Sequence, residues 1–129
     1  MSTLQRKQRA VLLQTAFATY LRALEREPFS AFHRLELGRL SLTLGDPEGA
    51  QRFVQESLAI EPNFLPGRVW LVRFYLNTEQ TNAAIREYHE IVERHKRYAS
   101  WRKNPMEEQF LDVDIRELEA ALEKAGVRT

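Results

Sequence analysis

Two arginines, Arg39 and Arg73, stand 34 residues apart in matching surroundings, and their chemistry suits the recognition of anions. Each has an aliphatic residue four positions before it and another three positions after it, which on a helix forms one stripe. A guanidinium can hold a carboxylate or phosphate through two parallel hydrogen bonds, while aliphatic neighbours cover apolar groups of a peptide. The candidate partner-binding residues are Leu35, Arg39 and Leu42, their counterparts Val69, Arg73 and Leu76, and the flanking Phe32, Glu36, Trp70 and Asn77.

The sequence leaves two alternatives open for these arginines. They can pair with local carboxylates such as Glu36, in which case they form ordinary surface ion pairs of little energetic value. The stripe can also be covered by the C-terminal segment of the same chain, with Phe110 and Leu111 as the internal ligand.

The side chains that could support catalysis or bind a metal are too few or wrongly spaced. His89 and Glu93 resemble two ligands of a zinc-protease helix, but no third ligand is evident, and catalytic zinc needs three. Asp112 and Asp114 spell an Asp-x-Asp pair, yet Asp114 is predicted to cap a helix. There is no cysteine, phosphate-binding glycine loop or nucleophile elbow. We therefore predict no catalytic residue, no metal, no cofactor and no enzymatic activity for this chain alone.

Composition narrows the class of protein further. The 129 residues carry 19 basic and 18 acidic side chains, so a general nucleic-acid binder is not expected. A hydrophobic fraction of 43% favours one folded domain, and no apolar run reaches the roughly 18 residues of a membrane span. The start lacks the apolar stretch of a secretory signal, so the expected location is the cytoplasm. The basic stretch 94–97 is predicted to complement a helix C-terminus, with a phosphate-rich or membrane surface as the alternative.

Capping residues and prolines predict an all-α chain. A long first helix extends from the Ser2 or Thr3 cap to about residue 27 and is stopped by Pro28. Further helices are expected over about 31–44, 47–61, 66–76 and 81–98. After a short helix through residues 105–111, Asp114 and Glu117 resemble a capping box that opens the last helix, which ends at Gly126.

The chain repeats itself every 34 residues, as the pairs Pro28 and Pro62, and Arg34 and Arg68, illustrate. A period of this length is typical of stacked helical hairpins, none of which can bury its apolar face alone. The small residue Gly38 is expected where two helices cross, so Gly38→Leu is predicted to overpack the hairpin, whereas Ser41→Leu is predicted to be tolerated. Arg34 and Arg68 are expected to place their charges in water.

The spacing and residue types resemble the tetratricopeptide repeat. The resemblance rests on Leu37-Gly38, Ala50, Val54, Ser57 and Pro62 in one unit, and on Leu71, Tyr75, Ala84 and Tyr88 in the next. It implies an α-α superhelix with a half repeat at 1–28, repeats at 29–62 and 63–98, and capping helices at 99–129. It also implies that the Arg39 and Arg73 stripe lines a concave groove for a protein or peptide, including acidic ones. Homo-oligomerisation through an exposed end is a further possibility.

A second, weaker resemblance concerns the soluble C-terminal region of bacterial O-antigen ligase and polymerase membrane proteins. It rests on Glu61-Pro62-Asn63-Phe64, Arg86-Glu87-Tyr88, Tyr98, Asn104-Pro105, 110–114 and Leu118. It implies the alternative that this chain is a soluble domain of an inner-membrane protein, facing the periplasm or the cytoplasm, which mediates assembly or partner contact.

Overall fold

A computed structural model describes residues 1–98, 111 and 113–128, and these residues form α-helices without any β-strand. The all-α prediction is therefore confirmed. The helices are α1 (Thr3–Arg26), α2 (Ala31–Thr43), α3 (Pro47–Ile60), α4 (Leu65–Asn77), α5 (Thr81–Tyr98) and α6 (Ile115–Lys124).

Local capping chemistry explains where these helices begin. The Ser2 hydroxyl accepts from the backbone N–H of Gln5, whose side chain accepts from the Ser2 N–H, which makes a complete capping box at α1. Asp46 accepts from the N–H of Gly49 at 2.9 Å and starts α3 in the same way. Asp114 caps α6 as predicted by accepting from the N–H of Glu117 at 3.1 Å.

The 34-residue period is visible in the backbone of the turns. Gly45, which follows α2, has φ of 89°, and Glu79, 34 residues later after α4, has φ of 59°. Each turn is closed by the same bond across six residues, from Asp46 N–H to the Ser41 carbonyl at 2.8 Å and from Gln80 N–H to the Tyr75 carbonyl at 2.7 Å. The helices α2 and α4 thus end in the same kind of turn, although only Gly45 is a residue type suited to the left-handed conformation.

Glu79→Gly is expected to stabilise the protein by about 0.5–1 kcal/mol, because a left-handed φ is costly for a residue with a Cβ. The measurement is the urea midpoint of unfolding. Gly45→Ala provides the reverse experiment and is expected to lose about 1 kcal/mol. If Glu79→Gly leaves the midpoint unchanged or lowers it, the left-handed turn at Glu79 is not a source of strain.

Contacts divide the chain into two compact units, of which unit 1 comprises residues 1–61. In unit 1, α2 packs against both α1 and α3. Its buried apolar residues include Leu37, Ala50 and Val54, each with no exposed surface. A Cβ added to Gly38 would lie 2.7 Å from Val54 Cγ2 and 3.1 Å from the Ala50 carbonyl oxygen. Gly38 therefore permits the close approach of α2 and α3 that its position in the repeat predicts.

Ser41 also lies inside unit 1, and this reverses the expectation that Ser41→Leu is tolerated. Only 3% of Ser41 is exposed, and its carbonyl accepts the bond that closes the turn after α2. A leucine there has to displace well-packed neighbours, which costs stability.

Unit 2 begins at Pro62 and contains α4, α5 and α6. The helix α4 packs against α5, and the side chains of α6 complete their core, with Leu118 and Leu122 almost fully buried. The Tyr88 hydroxyl of α5 donates to Glu119 of α6 at 2.8 Å. The buried cluster comprises Leu65, Val72, Ala84, Tyr88, Ile91, Leu111, Leu118, Leu122 and Val127.

Candidate functional site

The first candidate arginine, Arg39, lies on the exposed face of α2 in unit 1. Its Nη1 donates to Glu36 Oε1 at 2.9 Å, one turn earlier on the same helix. The two side chains are 54% and 36% exposed, so water surrounds much of this ion pair. Pairs of this kind contribute about 0–1 kcal/mol, which means that a ligand carboxylate can replace Glu36 at little cost.

The second candidate arginine, Arg73, occupies the corresponding place on α4 in unit 2. Its Nη2 lies 3.4 Å from Glu117 Oε1, which belongs to α6, and the side chains are 47% and 69% exposed. The alternative of local carboxylate pairing is thus realised at Arg39, whereas Arg73 pairs with a carboxylate 44 positions away, and both are weak surface pairs. The sequence suggested Glu117 as the second half of a capping box, but its carboxylate accepts from Arg73 instead.

The neighbours of Arg39 differ in how much surface they offer. Leu35 is only 3% exposed and contributes to the packing inside unit 1. Leu42 and Phe32 are 41% and 38% exposed, so they and the half-buried Glu36 supply the accessible surface beside the guanidinium.

The neighbours of Arg73 pack more closely against unit 2 than the exposed neighbours of Arg39 pack against unit 1. Val69 and Leu76 are half-buried against the unit 2 core, whereas Asn77 is exposed at the end of α4. The half-buried Trp70 stacks on Phe74 with 5.0 Å between ring centroids and an interplanar angle of 14°. Because this stack fixes the indole ring, Trp70 forms a rigid aromatic surface one turn from Arg73.

A second pair of arginines, Arg34 and Arg68, repeats at the same interval but has a structural role. The Arg34 Nη1 donates to the Pro28 carbonyl at 2.6 Å, and the Arg68 Nε donates to the Pro62 carbonyl at 2.9 Å. Their side chains are only 16% and 11% exposed. The prediction that both charges point into water is wrong, because each guanidinium satisfies the carbonyl that the helix-breaking proline leaves open.

Arg68 also forms the most buried ion pair among the described residues. Its Nη1 donates to both carboxylate oxygens of Glu87, at 2.6 and 3.2 Å, and the Glu87 side chain is 17% exposed. This contact joins α4 to α5. No sequence motif signals this contact, since the two residues are 19 positions apart.

The basic stretch at the end of α5 is largely neutralised within unit 2. Arg94 donates to Glu90 at 3.0 Å and to the Asn63 side chain at 2.7 Å, and Arg97 donates to Glu93 at 3.2 Å. Hydrogen bonding to Tyr98, and then to Glu93, raises the pKa of Arg97. The continuation of the stretch at residues 102–103 lies outside the described residues.

The candidate metal and catalytic side chains are not brought together where the structure describes them. Over residues 1–98, 111 and 113–128, no three His, Asp or Glu side chains are arranged to hold a metal ion. His89 is exposed on α5, and Asp114 is engaged in capping α6. Asp112 and Phe110 lie outside the described residues.

Comparison with known families identifies the architecture. A family model described as a tetratricopeptide repeat matches residues 41–103. Residues 41–103 therefore carry the tetratricopeptide repeat. The matched segment includes α3 to α5 and therefore Arg73 and Trp70, whereas Arg39 precedes it. A search of curated proteins gives no match.

Tetratricopeptide repeats are in general scaffolds for protein interaction and are typically non-catalytic. Protein partners are therefore the class to expect for this repeat domain. Among the helices that the structure describes, none combines the length and apolarity needed to cross a bilayer.

Proposed function

We propose that this tetratricopeptide repeat domain is a non-catalytic scaffold that binds carboxylate-bearing segments of a protein or peptide through Arg39 and Arg73. The observation that carries the proposal is the contrast between the two pairs of arginines. Arg34 and Arg68 are largely covered and bonded to proline carbonyls, while Arg39 and Arg73 are about half exposed and hold only surface ion pairs.

Each exposed arginine combines an exchangeable charge with an apolar neighbour. At Arg39 the neighbour is Leu42, and at Arg73 it is the stacked ring of Trp70. A ligand carboxylate can take two hydrogen bonds from the guanidinium, while an adjacent apolar side chain of the ligand covers the leucine or the indole. Bidentate binding distinguishes arginine from lysine at such a site.

Each of the two arginine positions is expected to bind a ligand carboxylate. A peptide with a free C-terminal carboxylate, selected from a displayed library on the wild-type protein, serves as the probe, and its C-terminal amide is the matched ligand. The double variant Arg39→Ala with Arg73→Ala is expected to weaken binding of the acid by about tenfold or more, as measured by titration calorimetry. Its melting temperature should barely change, because exposed ion pairs add little to stability.

The control is Arg52→Ala with Arg86→Ala, which removes two exposed arginines at the same 34-residue interval from α3 and α5. This control should bind like the wild type. If the peptide acid and its amide bind equally well, or if both double variants lose the same affinity for the acid, Arg39 and Arg73 do not recognise the carboxylate.

The alternative of a polysaccharide ligase or polymerase domain rests on the sequence resemblance alone, and homo-oligomerisation likewise stays a prediction. Sequence encoded upstream of this chain tests the ligase alternative, since that family requires a series of membrane spans there. The scaffold proposal includes no cofactor and no metal.

A further inference from the structure

The first half of α1 carries an apolar face that the fold of unit 1 does not use. Leu4, Val11 and Leu12 are 65%, 60% and 70% exposed. With 3.6 residues per turn, these three side chains share an arc of about 100° on one side of the helix. The side chains by which α1 meets the rest of unit 1, including the half-buried Leu13 and Leu24, lie roughly opposite. The exposed stripe is therefore a second, mainly apolar face on α1, with the exposed Gln8 inside its arc.

This face extends beyond the helix that supports α1. α1 has 24 residues and α2 has 13, and residues 1–12 are exposed at every position. The extra length of α1 amounts to roughly 16 Å at 1.5 Å per residue. The first three turns are thus a convex rod with solvent around them, and no neighbouring element of unit 1 forms a groove wall beside them.

Thr15 and Thr19 continue the same face, and their hydroxyl groups already donate hydrogen bonds within the helix. The Thr15 hydroxyl donates to the Val11 carbonyl at 2.8 Å, and the Thr19 hydroxyl donates to the Thr15 carbonyl at 2.8 Å. A hydroxyl has one proton to donate, and both protons are used inside the helix. Covering this face therefore leaves no threonine donor without a partner.

The charges around the face have one sign. Between residues 1 and 24 the chain has Arg6, Lys7, Arg9 and Arg22 but no aspartate or glutamate. On a helical projection Lys7 lies about 40° beyond Val11, and Arg9 about 60° beyond Leu12 on the other side. Cations thus border the apolar face on both edges, which opposes pairing with a second copy of the same face and favours an anionic surface.

We propose that the N-terminal face of α1, defined by Leu4, Val11 and Leu12 with Lys7 and Arg9 at its edges, docks on an anionic lipid surface. A single convex helix whose apolar residues are flanked by one cation on each side lies in the bilayer interface with the cations at the headgroups. A protein partner would have to supply a shaped groove around this rod, whereas a lipid surface adapts to it. This proposal is independent of the carboxylate binding at Arg39 and Arg73.

Co-sedimentation with vesicles tests the proposal on the full chain. Phosphatidylcholine vesicles containing phosphatidylglycerol are the probe, and pure phosphatidylcholine vesicles are the reference. The wild type is expected to bind the anionic vesicles and to be released by salt. The triple variant Leu4→Gln, Val11→Gln, Leu12→Gln is expected to bind at least about tenfold more weakly, with helix content preserved because glutamine is a good helix former.

Two further variants separate the contribution of the cations from that of exposed apolar side chains in general. Lys7→Gln with Arg9→Gln should weaken binding to anionic vesicles by about tenfold or more. Phe29→Gln removes a side chain that is 80% exposed but lies outside α1, and it should bind like the wild type. The triple variant should retain wild-type binding of the carboxylate peptide, which keeps a failure here distinct from a failure of the scaffold proposal.

The proposal is overturned if the wild type does not bind anionic vesicles, or if it binds neutral vesicles equally well. It is also overturned if the triple variant binds anionic vesicles as tightly as the wild type does. Sedimentation equilibrium addresses self-association. A dimer that the triple variant dissociates would assign the face to a second copy of the chain and would equally overturn the lipid proposal.

Discussion

Gly38→Leu is expected to lower the free energy of unfolding by about 2–3 kcal/mol, one of the two largest losses for a single substitution predicted here. Even the first atom of a side chain meets Val54 Cγ2 at 2.7 Å, and the rigid Ala50 carbonyl stands at 3.1 Å. Leucine therefore has to separate α2 from α3. The check is urea unfolding followed by circular dichroism, with the midpoint and slope fitted separately.

The matched control is Arg39→Leu, which places the same side chain one position later on the exposed face of α2. Its free energy of unfolding should stay within about 0.5 kcal/mol of the wild type. If Gly38→Leu is no more destabilising than Arg39→Leu, the close crossing of α2 and α3 at Gly38 is incorrect.

Arg68→Met is expected to cost about 2–3 kcal/mol. The substitution keeps much of the apolar stem but removes two hydrogen bonds to Glu87 and one to the Pro62 carbonyl. Losing one partner of a fully buried ion pair typically costs about 3–5 kcal/mol, and the residual exposure of this pair reduces that figure. Most of the loss arises because the Glu87 carboxylate stays in a largely buried place without its counterion.

A double-mutant cycle isolates the free-energy cost of leaving the Glu87 carboxylate without its counterion. Adding Glu87→Leu to Arg68→Met should recover about 1 kcal/mol or more, because the unpaired charge is removed and an apolar side chain takes its place. Arg73→Met is the exposed comparison and should change stability by less than about 1 kcal/mol. The assignment of Arg68 as a structural residue would be contradicted if the losses of unfolding free energy at Arg68 and Glu87 were additive. It would also be contradicted if Arg68→Met and Arg73→Met lost equal amounts of unfolding free energy.

The four arginines illustrate how one repeat uses the same residue type for two purposes. Arg34 and Arg68 close the chain reversal at Pro28 and Pro62, and this role depends on their burial. Arg39 and Arg73 remain at the surface, where their pairing with carboxylates is weak. The two buried-side arginines therefore help to maintain the fold, and the two surface arginines contribute little to it.

The helices could be predicted closely from the sequence because their limits are local. The capping bonds of Ser30, Asp46 and Asp114 each span three residues, and prolines or left-handed turns end the preceding helices. The 34-residue period is likewise matched by equivalent turns after α2 and α4, and the small residue Gly38 predicted the close helix crossing.

The sequence by itself therefore determined the helical elements and their repeat, because these follow from short-range bonds and periodic burial. The general role as a protein-interaction scaffold rests on the resemblance to the tetratricopeptide repeat. Tertiary structure decided which arginines are largely covered, that Leu35 lies in the core, and that Glu117 contacts Arg73. The contacts between Arg68 and Glu87 and between Arg73 and Glu117 join residues 19 and 44 positions apart. Such partners are chosen by how the helices pack, and a distance in space has no counterpart in a pattern along the chain.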